Sequence, residues 1–183
     1  MKQMISKFLD RFKKAPEGHE IFRGYYHEGE AVYTYIPNPD EETHIFDGDF
    51  KVRYEYGGSK FAEAKGTYAN DIKQGHWEFV RNGFTTKRSL SVDFEDGQMV
   101  GPIKCMFSEK GINLVQVSRL SLTVKDGKIV GPVTGIIRNE DIPENYDEDP
   151  QMVNQLNFIL GECISVLLSL APRGHVNQEI SVK

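Results

Sequence analysis

Tyr68-Ala-Asn-Asp-Ile-Lys-Gln-Gly75, Phe94-Glu-Asp-Gly-Gln-Met-Val-Gly101 and Val124-Lys-Asp-Gly-Lys-Ile-Val-Gly131 are three copies of one pattern. Each opens on an aromatic or β-branched residue and reaches a glycine seven positions later. An apolar residue follows two positions after the glycine: Trp77, Ile103 and Val133. The glycines lie 26 and 30 residues apart (101−75 and 131−101). A repeat of that length is one supersecondary unit that cannot bury its apolar face alone.

The local pattern makes that unit a β-hairpin. Leu90, Val92 and Phe94 alternate with Ser91, Asp93 and Glu95, and Leu120, Leu122 and Val124 alternate with Ser121, Thr123 and Lys125. Such alternation sends one set of side chains to a core and the other to water. Asp96-Gly97 and Asp126-Gly127 supply a tight turn. Ile103, Cys105 and Phe107 then read as a returning strand. Proline cannot donate to a ladder, so Gly101-Pro102 and Gly131-Pro132 mark edge, bulge or strand-start positions.

The pattern resembles the MORN-like repeats of the variant 2 type found in bacterial YwqK-like proteins. Gly66-Thr67-Tyr68, Gly75-His76-Trp77-Glu78-Phe79 and Asn82-Gly83 carry the resemblance best. The second and third units keep only the turn and the glycine. The resemblance spans Gly66–Ile137, about 72 of 183 residues. It implies a meandering antiparallel sheet without enzymatic activity.

The rest of the chain surrounds this repeat. Met1–Lys14 places Ile5, Phe8, Leu9 and Phe12 on one helical face, with Lys2, Lys7, Arg11, Lys13 and Lys14 around it. It reads as a short amphipathic helix within residues 1–15. Its first role is to cover the sheet. Alternatively, Phe8, Phe12, Lys7 and Arg11 contact an anionic membrane surface or another chain. Phe22–Tyr26 and Ala31–Ile36 flank His27-Glu28-Gly29-Glu30 as a first hairpin, and Ile45–Tyr56 starts the sheet proper. Asp47-Gly48-Asp49 reads as a turn, and Gly57-Gly58-Ser59-Lys60 as another. Trp77 is a core residue or, alternatively, a partner contact.

Residues 138–149 form an acidic linker, with six acids between Glu140 and Asp149. Asp149-Pro150 then starts a helix expected to run to about Ala171, since aspartate caps free amides and proline suits the first helical position. That helix is apolar on most sides and should be mostly buried. Residues 173–183 are a polar tail.

A length of 183 residues fits one domain, with the hairpin sheet over residues 20–137. The expected class is α+β: an antiparallel meander of eight to ten strands with a short N-terminal helix and a long C-terminal one. The net charge of −5 disfavours a nucleic-acid partner. Cys105 and Cys163 read as separate buried thiols. No signal-peptide or membrane-span pattern occurs, so a cytoplasmic location is expected.

No nucleophile elbow, phosphate loop or dinucleotide fingerprint occurs, and His27-Glu28 lacks the second histidine of a zinc helix because position 31 is alanine. No catalytic residue, metal site or cofactor is assigned; Gly75, Gly101 and Gly131 are structural. The functional expectation is a non-enzymatic interaction module or scaffold that binds a protein partner or itself. The alternatives are a peripheral membrane protein held by the basic N-terminal helix, and an enzyme or small-ligand binder with a cleft between sheet and helix.

Overall fold

Five two-residue turns set the topology. His27–Glu28, Asn70–Asp71, Asp96–Gly97, Asp126–Gly127 and Arg138–Asn139 each hold both residues at positive φ. That backbone matches the right-handed twist of paired strands and returns the chain at once. A computed structural model describes residues 14–38, 43–171, 180 and 182. In it the strands are β1 (Glu20–Tyr26), β2 (Gly29–Pro37), β3 (His44–Glu55), β4 (Phe61–Ala69), β5 (Ile72–Asn82), β6 (Thr86–Glu95), β7 (Gln98–Lys110), β8 (Val115–Lys125), β9 (Lys128–Ile137) and β10 (Glu140–Asp141). They form one antiparallel sheet in sequence order. One helix, α1 (Pro150–Leu168), follows.

The repeat glycines mark one recurring irregularity. Lys65 pairs with Glu78 and Thr67 with Gln74, so residues 75–77 face Gly66 alone. Residues 101–103 likewise face Val92, and residues 131–133 face Leu122. In each bulge the glycine takes a left-handed φ: +61° at Gly75, +69° at Gly101 and +79° at Gly131. The apolar residue two positions on (Trp77, Ile103, Val133) drops into the core.

A fourth copy exists. Tyr33 pairs with Phe50 and Tyr35 with Phe46, so residues 47–49 face Thr34. Gly48 has φ +110° and Phe50 is the buried residue two positions later. Asp47-Gly48-Asp49 is therefore a bulge inside β3, not the turn its composition suggests. Successive units are also stitched alike. The Asp71 amide donates to the Phe46 carbonyl at 2.8 Å, and the Gly97 amide donates to the Lys73 carbonyl at 3.1 Å. Both acceptors lie two residues before a bulge glycine.

The strand face in phase with the bulge apolar residues is the inner face. Phe50, Trp77, Phe79, Leu90, Val92 and Ile103 on it join Leu156, Leu160, Cys163 and Leu167 of α1 in one core. The Asp149 carboxylate caps α1 by accepting from the Gln151 amide at 2.9 Å, and Pro150 occupies the first turn. The helix ends at Leu168, three residues before the expected Ala171.

The α+β expectation needs correction. The protein is mostly a ten-stranded antiparallel meander, and α1 is the one α-helix among the described residues. No N-terminal helix is found there. Met1–Lys13 lies outside the described residues, and Lys14–Pro16 carries no helical turn. Among the described residues the inner face is packed by α1, with Ile180 and Val182 beside it.

The Trp77 indole lies over Gly66, and its Nε1 donates to the Thr67 carbonyl at 3.1 Å. A Cβ on Gly66 would stand 2.1 Å from the indole, whereas one on Gly101 would meet nothing within 4 Å. Gly66→Ala should therefore lower the unfolding free energy by about 3 kcal/mol through overpacking. Gly101→Ala should cost only the left-handed backbone strain, about 1 kcal/mol. Denaturant unfolding of both variants checks this; equal losses would show that the indole does not need a bare α-carbon.

Candidate functional site

The amino-terminal half of α1 stands away from the sheet over β7–β9 and leaves an open cleft of about 410 Å³. Phe107 and Glu109 of β7, Gln116 and Ser118 of β8, and Ile137 of β9 form its sheet side, with Arg138 beyond. Gln151, Asn154, Gln155, Phe158 and Ile159 line the helix side. Strand alternation explains the sheet side. Glu109 and Gln116 are cross-strand partners in phase with Phe107 and Ser118. They lie where the inner face runs out from under the helix and changes from apolar to polar.

The aromatic wall is held from behind. Phe107 and Phe158 meet edge to face with centroids 6.0 Å apart. The Arg88 guanidinium lies 5.2 Å from the Phe107 centroid. Its Nε donates to Glu162 at 3.0 Å and its Nη1 to Thr86 Oγ1 at 2.9 Å, while Nη2 also bonds Glu162. One partly buried ion pair thus joins sheet to helix and orients Phe107. Ser118 Oγ accepts from the Arg138 amide at 3.1 Å.

Gln116, Gln151, Asn154 and Gln155 give the lining four side-chain amides, beside one carboxylate, one guanidinium and two phenyl rings. The amides donate and accept without titrating, so they can hold polar backbone or amide groups.

The cleft opens onto hairpin tips. Lys110 pairs with Val115 directly beyond Glu109 and Gln116, and the connecting tip carries Ile112 at 94% exposure, next to exposed Leu114 and Val115. The neighbouring β5–β6 tip carries Phe84 at 84% exposure. It is tied to β7 where the Lys110 amide donates to the Thr85 carbonyl at 2.7 Å. Phe158 adds a ring at 59% exposure on the helix side. Large exposed apolar residues thus gather at one end of the sheet.

Three other groups of chemical interest are structural. Lys73 has no exposed surface. Its ammonium donates to the Ala171 carbonyl just past α1 and lies 5.3, 5.2 and 6.0 Å from the Tyr68, Trp77 and Phe94 ring centroids. The Tyr54 hydroxyl donates to the Leu170 carbonyl at 3.4 Å. Burial pushes Tyr54 up to about 12, so it stays a neutral donor at neutral pH. These side chains satisfy carbonyls at the end of the helix and favour its negative pole. Cys105 and Cys163 meet across the sheet–helix interface. A hydrogen bond with Cys163 and burial hold the Cys105 thiol far above the usual range, which keeps it un-ionised and unreactive. Among the described residues no cluster of His, Cys, Asp or Glu could hold a metal ion.

Of the residues singled out in the sequence, Trp77 is fully buried and stacked on Phe79 at 5.5 Å, out of a partner's reach. Phe8, Phe12, Lys7 and Arg11 lie outside the described residues. Gly75, Gly101 and Gly131 are the bulge glycines. The cleft residues and the Ile112 and Phe84 tips were not marked by any motif. The signal available was apolar residues inside glycine-bearing turns, where polar ones are usual. No described helix is long and apolar enough to cross a membrane. Comparison with known proteins finds no matching family model, curated protein or solved structure.

Lys73 gives stability a pH dependence. Burial lowers it from 10.5 to about 7 in the folded state. Between those values the unfolded chain binds the extra proton, so stability rises with pH, by up to roughly 1.4 kcal/mol per unit. The Ala171 carbonyl and the three rings favour the ammonium and make the slope shallower. Denaturant unfolding from pH 7 to 10 should show the rise in the native protein and lose it in Lys73→Met. An unchanged slope in the variant would assign the effect to other groups.

Proposed function

We propose that this protein is a non-enzymatic interaction module that binds a protein partner at one end of its sheet. The observation that carries this reading is the continuity of surface there. The exposed tips bearing Phe84, Ile112 and Leu114 run into a cleft lined by amides and by Phe107 and Phe158. Interfaces concentrate their energy in aromatic and aliphatic anchors set in a polar rim, and this end of the molecule has both. The four equivalent bulges support kinship with MORN-like repeat proteins in the same reading. Two free, buried cysteines fit a cytoplasmic setting. A small amide-bearing ligand is the second reading, because the cleft alone has the volume to hold one.

The test compares the tagged native chain with Ile112→Asp/Leu114→Asp. Both positions are exposed, so the unfolding midpoint should not move. The native chain should retain a stoichiometric partner from its host, and the variant should bind that partner at least about tenfold more weakly. Equal binding by the two would remove the tips from the interface. Absence of any partner, with a small molecule retained instead, would favour the second reading.

A further inference from the structure

The sheet's outer face is built in two unlike halves. Over β3–β6 its charges neutralise one another across the strands. Lys51 Nζ lies 3.1 Å from Glu63, Arg53 Nη1 lies 3.3 Å from the same carboxylate, Lys65 bonds Glu78, and His76 lies 2.7 Å from Asp93. Over β6–β9 this compensation stops. Lys104 lies between Ser91 and Ser121 in the ladder, and Arg119 between Met106 and Ile136. Both cations are exposed, and neither pairs with a carboxylate among the described residues.

The same half is hollow. Ser89, Ser91, Ser121 and Thr134 are too short to cover the backbone beneath them. They leave a depression of about 450 Å³ walled by Val80 and Met106. The one carboxylate at its margin, Glu78, is already bound to Lys65.

We propose that this depression binds an extended acidic segment of a partner protein, with acidic side chains at alternate positions. Two spacings favour a peptide over a point anion. The lining reaches from β5 to β9, four strand spacings or ~19 Å, the length of about six extended residues. Lys104 and Arg119 are diagonal neighbours on adjacent strands, ~7–8 Å apart at Cα, and acids at alternate positions of an extended chain are ~6.8 Å apart. The serine and threonine hydroxyls supply donors for the carboxylates or for the peptide carbonyls between them. This site lies on the face opposite α1 and does not depend on the cleft or the hairpin tips.

The probe is the capped peptide Ser-Glu-Ser-Glu-Ser, titrated into the full chain and followed by backbone amide NMR. The expected result is saturable shifts at Lys104, Arg119, Ser121 and Thr134, absent with Ser-Gln-Ser-Gln-Ser. Lys104→Gln/Arg119→Gln should weaken binding at least about tenfold, and raising the salt should weaken it further in the native chain. Lys104→Glu/Arg119→Glu should instead bind Ser-Lys-Ser-Lys-Ser, a gain that misfolding cannot imitate. Equal binding of the Glu and Gln peptides, or unchanged affinity in the Gln variant, would overturn the proposal. So would inorganic phosphate displacing the peptide at equal concentration, which would mark a site for point anions.

Discussion

The structure depends on fitting three residues opposite one, four times over. At residues 47–49, 75–77, 101–103 and 131–133 the ladder takes up extra chain. Each excursion needs a residue tolerant of positive φ, and glycine supplies it, first in the bulge at Gly75, Gly101 and Gly131 and in the middle at Gly48. A bulge bends its strand and adds right-handed twist. All four lie on the second strand of a hairpin, so their distortions act at equivalent places. The inner face so shaped packs against α1 across β5, β6 and β7.

That arrangement leaves a polar helix end inside a core, and Lys73 resolves it at a cost. Burying an ammonium is unfavourable, and the lowered affinity of Lys73 for its proton measures that. What it returns is positional. Lys73 sits two residues before a bulge glycine, its carbonyl stitches to Gly97, and its ammonium takes the Ala171 carbonyl. One residue thus links the repeat backbone to the helix terminus. The rings of Tyr68, Trp77 and Phe94 around it come from equivalent or neighbouring positions of two repeat units. The cage is a product of the repeat rather than a feature added to it.

Much of the sheet was legible because hairpin chemistry is local. The aspartate–glycine turns, the alternation in β6 and β8 and the capping pair Asp149–Pro150 all have mechanisms confined to a few residues. The fourth bulge was missed because position 41, seven before Gly48, carries glutamate where the other units have an aromatic or β-branched residue. A glycine between two aspartates also looks like a turn when read alone. Lys73 was readable in principle, since it shares parity with Trp77 and Phe79, but a lysine on an apolar face is usually taken for a register error. The contact between Cys105 and Cys163 and the cleft beside α1 were not readable. Both depend on where the helix crosses the sheet, which no local pattern encodes.

The two halves of the sheet's outer face use their charges differently, and this bears on what an open meander must guard against. A broad sheet with exposed edges risks pairing with other chains. Over β3–β6 the outer face carries neutralised charge pairs, which keep it hydrated and give a second chain little to grip. Over β6–β9 hydroxyls flank Lys104 and Arg119, neither of which pairs with a carboxylate among the described residues, and a chain with net charge −5 has acids to spare for pairing them. Cross-strand neighbours are the cheapest place to put a compensating carboxylate, and the repeat offers positions 91 and 121 for it. Both hold serine. The same face thus places acids beside Lys51, Arg53 and Lys65 and, among the described residues, none beside Lys104 and Arg119, the asymmetry on which the proposed acidic-peptide site rests.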